Sequence, residues 1–152
     1  MLLLANSPRP TDDVDFFWLE EGVFQDTLSQ ETFTALNDSL QAIAERHTLD
    51  PGWFNYFAQM LMFDEVRVPK GTLWKRFGPL YIYISKAEYI LALKITAGRR
   101  KDLDDCAILL AQTKIRTRQQ AQKLLDRYIL PEGQVKNAEQ IAKALDELFG
   151  EK

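Results

Sequence analysis

The stretch Ser85–Leu110, SKAEYILALKITAGRRKDLDDCAILL, decides how the rest of the chain is read. Ser85 followed by Glu88 is a capping-box pattern, which predicts a helix beginning there. Ala87, Ile90 and Leu91 form an apolar stripe that runs into Lys94 at spacings of three and four. Lys94 thus falls on or beside a face that should be buried, where an ammonium is costly without an anionic partner. Gly98 is a natural left-handed helix terminus, and Arg99, Arg100 and Lys101 follow it. Asp102 is then expected to cap a second helix, with Asp105 in its first turn and Leu103, Cys106, Leu109 and Leu110 turned inward. A lysine, a basic turn and two aspartates converge on one corner between two helices. That corner reads as a site.

Immediately upstream, Leu80–Ile84 (LYIYI) reads as a strand with apolar residues on both faces. Val66–Val68 suggests a short strand before the turn Pro69-Lys70-Gly71. Trp53–Phe63, rich in aromatic residues and Met, reads as a helix packed on the sheet. Ser29 opens a helix with Phe33, Leu36, Leu40, Ile43 and Ala44 inward, ending near His47. At the other end, Thr117 starts a helix that buries Ala121, Leu124, Leu125 and Tyr128 and stops at Pro131. Asn137 with Gln140 starts a last one carrying Ile141, Leu145 and Leu148, closed by Gly150. The expected fold is α/β (α+β), a mixed sheet in residues 1–84 and a helical part in 85–152, forming a single domain.

The 152 residues, 46% of them hydrophobic, are enough for one domain with a real core. Met1–Ala5 is too short an apolar run for a signal peptide or a membrane span, which predicts a cytoplasmic protein without membrane attachment. The single cysteine, Cys106, precludes an internal disulfide and lies on an apolar helix face, so it reads as core. His47 has no histidine or cysteine partner and reads as a surface residue. The net charge of −3 is unevenly spread: residues 94–136 carry 10 basic and 5 acidic side chains, whereas residues 1–93 carry 7 and 13. The basic block begins at Lys94, which favours an anionic ligand at the corner; solvated helix faces account for Lys114–Lys136.

Near the N-terminus, Asp12-Asp13-Val14-Asp15-Phe16 turns from polar to aromatic. Read as a strand, it sets Asp13 and Asp15 on one face and Val14 and Phe16 on the other. Adjacent carboxylates repel unless a cation sits between them, and an all-oxygen pair suits Mg²⁺ shared with substrate phosphates. The competing reading is an acidic loop in which Asp12 or Asp13 caps a turn.

Three motifs together, RPTDDVDF (Arg9–Phe16), GWFN (Gly52–Asn55) and YILALKITAGRRKDLDD (Tyr89–Asp105), resemble a bacterial family of small nucleotidyltransferase-fold proteins. These are related to nucleotidyltransferase toxins of abortive-infection and toxin–antitoxin systems. The resemblance spans residues 9–110 and is most specific at the lysine helix and the RxKDxxD run. It implies a nucleotidyltransferase-like fold, Asp13 and Asp15 as the metal-binding pair, Lys94 on nucleotide phosphate, and Asp102 as an active-site residue with Asp105 beside it. Arg9 and Thr11 precede the metal pair as in the family, and Arg99 and Lys101 would join the nucleotide contacts. The family's Gly-Gly or Gly-Ser phosphate turn has no counterpart between Met1 and Arg9. A third strand carboxylate falls by position to Asp64 or Glu65.

Two functions follow as expectations. One is a Mg²⁺-dependent nucleotidyltransferase moving a nucleotidyl or phosphoryl group from a nucleoside triphosphate to an RNA, protein or other acceptor, toxin-like and paired with an antitoxin. The other is a catalytically reduced nucleotide- or partner-binding module of the same fold. A third possibility makes the Lys94–Asp102 corner a buried ion pair that ties two helices together.

Overall fold

Apolar side chains all round a helix require neighbours all round it, and Ala87–Ala97 (AEYILALKITA) is such a helix. Tyr89, Leu91, Ala92, Ile95 and Thr96 are buried along one broad face, and every other side chain of the helix is partly covered. The computed structural model describes residues 14–16, 30–55, 64–78 and 80–150. Their elements are β1 (Val14–Asp15), α1 (Gln30–His47), β2 (Phe54–Asn55), β3 (Thr72–Phe77), β4 (Leu80–Ile84), α2 (Ala87–Ala97), α3 (Arg100–Gln112), α4 (Arg118–Tyr128), α5 (Pro131–Lys136) and α6 (Ala138–Phe149). The class is mixed α/β: six helices and two two-stranded sheets among the described residues.

Helix α2 is the centre of the helical part and packs against α3, α4 and α6. Its core neighbours are Cys106 and Leu109 of α3, Ala121, Leu124, Leu125 and Tyr128 of α4, and Ile141, Ala144 and Leu145 of α6. The Tyr89 and Tyr128 rings meet edge to face with centroids 5.4 Å apart. Each large apolar side chain so enclosed contributes about 1.5–3 kcal/mol.

Helix α2 begins one residue later than the capping-box pattern implies, with Lys86 rather than Ser85 at its N-cap and no side-chain cap. The cause is β4, whose ladder runs through the Ile84–Thr72 pair, so the chain leaves the sheet only at Ser85. Helix α3 starts at Arg100 behind Arg99, so Asp102 does not cap it. Its carboxylate goes elsewhere, as described below. The α2 terminus matches expectation: Gly98 has φ +59° and its N–H bonds the Lys94 carbonyl at 3.0 Å. A Cβ there would also come within 2.8 Å of Gln140 on α6, so glycine is required twice over.

The capping box predicted at Thr117 forms, with Gln120 as its reciprocal partner, and the four inward residues of α4 are all buried. Pro131 opens the short helix α5 at its first position. Asn137 precedes α6 but its side chain does not cap; it bonds Glu65 and the Gly133 carbonyl. Residues 65–67 are laced to the end of α4 by a Val66–Ile129 bridge, Arg67 N–H to the Tyr128 carbonyl and Leu130 N–H to the Glu65 carbonyl. Glu65 also pairs with Lys136.

The strands are less regular. β4 is where the apolar run LYIYI places it, but its partner β3 (TLWKRF) is hidden in the sequence by a bulge between Leu73 and Lys75. Far from being covered on both sides, the pair exposes Leu73, Trp74, Phe77 and Tyr81. β1 pairs in parallel with β2, Val14 opposite Phe54 and Asp15 opposite Asn55, and the Phe16 and Phe54 rings stack at 4.3 Å. Phe54 and Asn55 are thus strand rather than the start of a helix; residues 56–63 lie outside the description. Helix α1 ends at His47 as expected, though Ile43 is 39% exposed and Ala44 is buried. The expected helix start at Ser29 also lies outside the described residues.

Candidate functional site

The corner between α2 and α3 is assembled by local geometry. Lys94 sits in the last turn of α2 and Asp102 in the first turn of α3, so each charge faces the favourable end of its own helix dipole. Asp102 and Asp105 are three apart on one face of α3, continuous with the buried Cys106 and Leu109. The turn at Gly98 folds α3 back on α2 and carries this face onto the lysine.

The Lys94 Nζ donates to Asp102 Oδ1 at 3.0 Å and to Asp105 Oδ2 at 2.7 Å. Arg99 closes on the same carboxylate, its Nε donating to Asp102 Oδ2 and its Nη2 to Asp102 Oδ1 at 3.3 Å. The two aspartates are 1% and 2% exposed, while the Lys94 side chain is 17% and Arg99 60% exposed. The arrangement is therefore graded: the two aspartates in the interior, the Lys94 side chain partly exposed, the Arg99 side chain outside.

Burial alone would pull the Lys94 pKa down, but the hydrogen bonds to Asp105 and Asp102 and their negative charges win, and the ammonium is held above its ordinary range. Burial would likewise raise Asp102, but hydrogen bonds from Arg99 and Lys94 hold it below the usual carboxylate range. Cys106, beside the cluster, has its thiol pushed up to about 12 by burial, so it is an inert core residue.

The structure brings together Lys94, Asp102, Asp105 and Arg99. The Lys94–Asp102 contact was expected; Asp105, read only as standing beside Asp102, binds the same ammonium at 2.7 Å. Arg99, expected on a ligand, spends its guanidinium on Asp102. Lys101 and Arg100 are exposed at the start of α3. Asp15 is exposed on β1, whereas Asp13, Arg9 and Thr11 lie outside the described residues, and with them the test of an Asp13–Asp15 face. Of the third-carboxylate candidates, Glu65 is occupied by Lys136 and Asn137 in docking its segment to α5 and α6, while Asp64 is exposed.

Among the described residues, no group of three or more His, Cys, Asp or Glu side chains stands together to hold a metal ion. A Mg²⁺ shared with a phosphate chain commonly takes one or two carboxylates, a smaller set than this. No described helix is long and apolar enough to cross a membrane. Comparison with family models, with curated proteins and with solved structures found no match to this chain.

Proposed function

We propose that the protein is a nucleotidyltransferase-like enzyme that holds the phosphate chain of a nucleoside triphosphate at the Lys94 corner and transfers a nucleotidyl or phosphoryl group to an acceptor. The observation that carries this reading is the grading of the cluster: a lysine kept charged by two buried aspartates, with its own side chain partly exposed. Two of its three N–H donors are engaged by Asp102 and Asp105, which leaves the third for a phosphate oxygen. The exposed Arg100 and Lys101 add positive potential at the same helix N-terminus, a favourable place for an anion.

In this reading Asp13 and Asp15 hold the Mg²⁺, which would neutralise phosphate charge and align the phosphates. Asp102 acts as a positioning residue. Both its oxygens are engaged and its pKa is depressed, so it is poorly suited to accept a proton and well suited to fix the Lys94 ammonium. Lys94 contributes a preorganised charge to an anion developing in the transition state.

A second reading rests on the same cluster: two cations and two carboxylates balance, so the quartet can serve as an internal clasp between α2 and α3 and nothing more. Thermal melting against the four nucleoside triphosphates, each with and without Mg²⁺, separates the two. The enzyme reading expects at least one triphosphate to raise the melting temperature in a Mg²⁺-dependent way, and Asp13→Asn to abolish that rise while leaving the apo protein as stable or more so. No shift with any triphosphate would leave the clasp.

A further inference from the structure

A second surface stands apart from this corner. From Val66 to Ala87 the chain carries five basic residues, Arg67, Lys70, Lys75, Arg76 and Lys86, and no acidic one, in a protein whose net charge is −3. Within that span, the β3–β4 hairpin exposes Trp74 at 59%, Phe77 at 58%, Leu73 at 51% and Tyr81 at 45%. So much exposed aromatic surface on a soluble fold usually marks a binding site.

The bulge organises it. Leu73 pairs with Tyr83 and Arg76 with Tyr81, so the extra residue between them puts both pairs on one face, where regular alternation would separate them. Tyr81 and Tyr83, two apart on β4, share that face. Each ring there has a cation over it: Arg76 lies 4.9 Å from the Tyr81 centroid and Lys70 4.9 Å from that of Tyr83. Trp74 protrudes at the bulge itself, with the Lys75 ammonium 5.8 Å from its ring. Lys75 pairs with Ile82 and Phe77 with Leu80, so these two lie on the face opposite to Arg76 and Tyr81, and the hairpin carries an aromatic ring beside a positive charge on both sides of β3.

We propose that the β3–β4 hairpin binds single-stranded RNA, stacking an unpaired base on Trp74 at the bulge while Lys75 beside that ring and Arg76 on the opposite face of β3 neutralise phosphates as the RNA passes across the strand. Positive charge argues for a polyanion, and open aromatic rings require bases that are not already stacked in a duplex. RNA is chosen because its loops, bulges and ends present such bases, and because tyrosine hydroxyls beside the rings can engage the 2′-hydroxyl. This inference does not depend on the Lys94 corner binding a nucleotide.

Fluorescence anisotropy of a labelled, unstructured oligoribonucleotide of about 12 nucleotides tests it on the full chain. Single-stranded RNA should bind more tightly than duplex RNA or the matching single-stranded DNA, and its affinity should fall as salt rises. Trp74→Ala should weaken binding roughly tenfold, and Trp74→Phe should restore most of it. Lys75→Gln with Arg76→Gln should flatten the salt dependence. Unchanged affinity in Trp74→Ala and in the double variant, or no binding at low salt, would overturn the proposal. Equal affinity for DNA would overturn its assignment to RNA. Concentration-dependent self-association lost in Trp74→Ala, without RNA binding, would assign the face instead to a second copy of the chain.

Discussion

Two five-residue runs, Leu80–Ile84 (LYIYI) and Tyr89–Leu93 (YILAL), are nearly alike in composition and lie close together in sequence, yet meet opposite fates. In α2, Tyr89 is 1% exposed and Leu91 fully buried, whereas in β4 Tyr81 is 45% exposed. The difference lies in partners. A helix apolar on every side is enclosed by α3, α4 and α6, each of which brings its own apolar stripe. The strand run has β3 beside it, and that strand carries Lys75 and Arg76 and a bulged tryptophan. Apolar content decides that a segment seeks cover; the neighbours decide whether it finds it. The helical part is thus the load of the fold, and the hairpin a surface free to be used.

The sharpest way to break this contrast is at Lys94. Lys94→Met would leave Asp102 buried with Arg99 and take from the buried Asp105 the ammonium that it binds, and should cost about 3–5 kcal/mol in urea unfolding. A loss under about 1 kcal/mol would mean the carboxylates are less enclosed than 1–2% exposure implies. Next in size, Leu91→Ala in the centre of α2 should cost roughly 3 kcal/mol through the cavity it leaves. Leu73→Ala in the hairpin, by contrast, should stay within about 0.5 kcal/mol. Equal effects at the two leucines would erase the distinction between body and hairpin.

The pH dependence sharpens the same point. Asp102 has its pKa lowered from the ordinary 3.8, so its stabilising contribution is present above that value and fades as pH falls below it. Lys94 is raised from 10.5, so its contribution is full below that value and fades as pH rises beyond it. Melting temperature should drop on the acid side, and Asp102→Asn should make that drop shallower. An identical acid profile in wild type and Asp102→Asn would remove the carboxylate from the stability of the corner.

The helical half was legible because its signals are local. The capping box at Thr117, the inward set Ala121, Leu124, Leu125 and Tyr128, and the Gly98 terminus each depend on neighbours within a turn. The Lys94–Asp102 contact followed from a lysine on an apolar face and an aspartate just past the turn. Asp102 was misassigned as a cap because a carboxylate at a helix start has two attractions, the free backbone N–H groups and a nearby cation; here Lys94 and Arg99 win it. The strand pairings were less legible. β2 lies in an aromatic run without period, and the bulge at Trp74 breaks the alternation by which β3 would be recognised. The central position of α2 was also hidden, since its buried face, Tyr89, Leu91, Ala92, Ile95 and Thr96, shares only Leu91 with the stripe Ala87, Ile90 and Leu91 that the spacing suggested.

The central claim is that the Lys94 corner binds phosphate in addition to joining α2 to α3. The variant Lys94→Met/Asp102→Asn/Asp105→Asn removes the buried charges together, so the interior is left without an uncompensated ion and the fold should survive. Isothermal titration of wild type and this variant with the triphosphate that gives the largest Mg²⁺-dependent melting shift is the most direct test. The account predicts a folded variant whose affinity for the triphosphate is lowered tenfold or more. A folded variant that binds the triphosphate as tightly as wild type would contradict it.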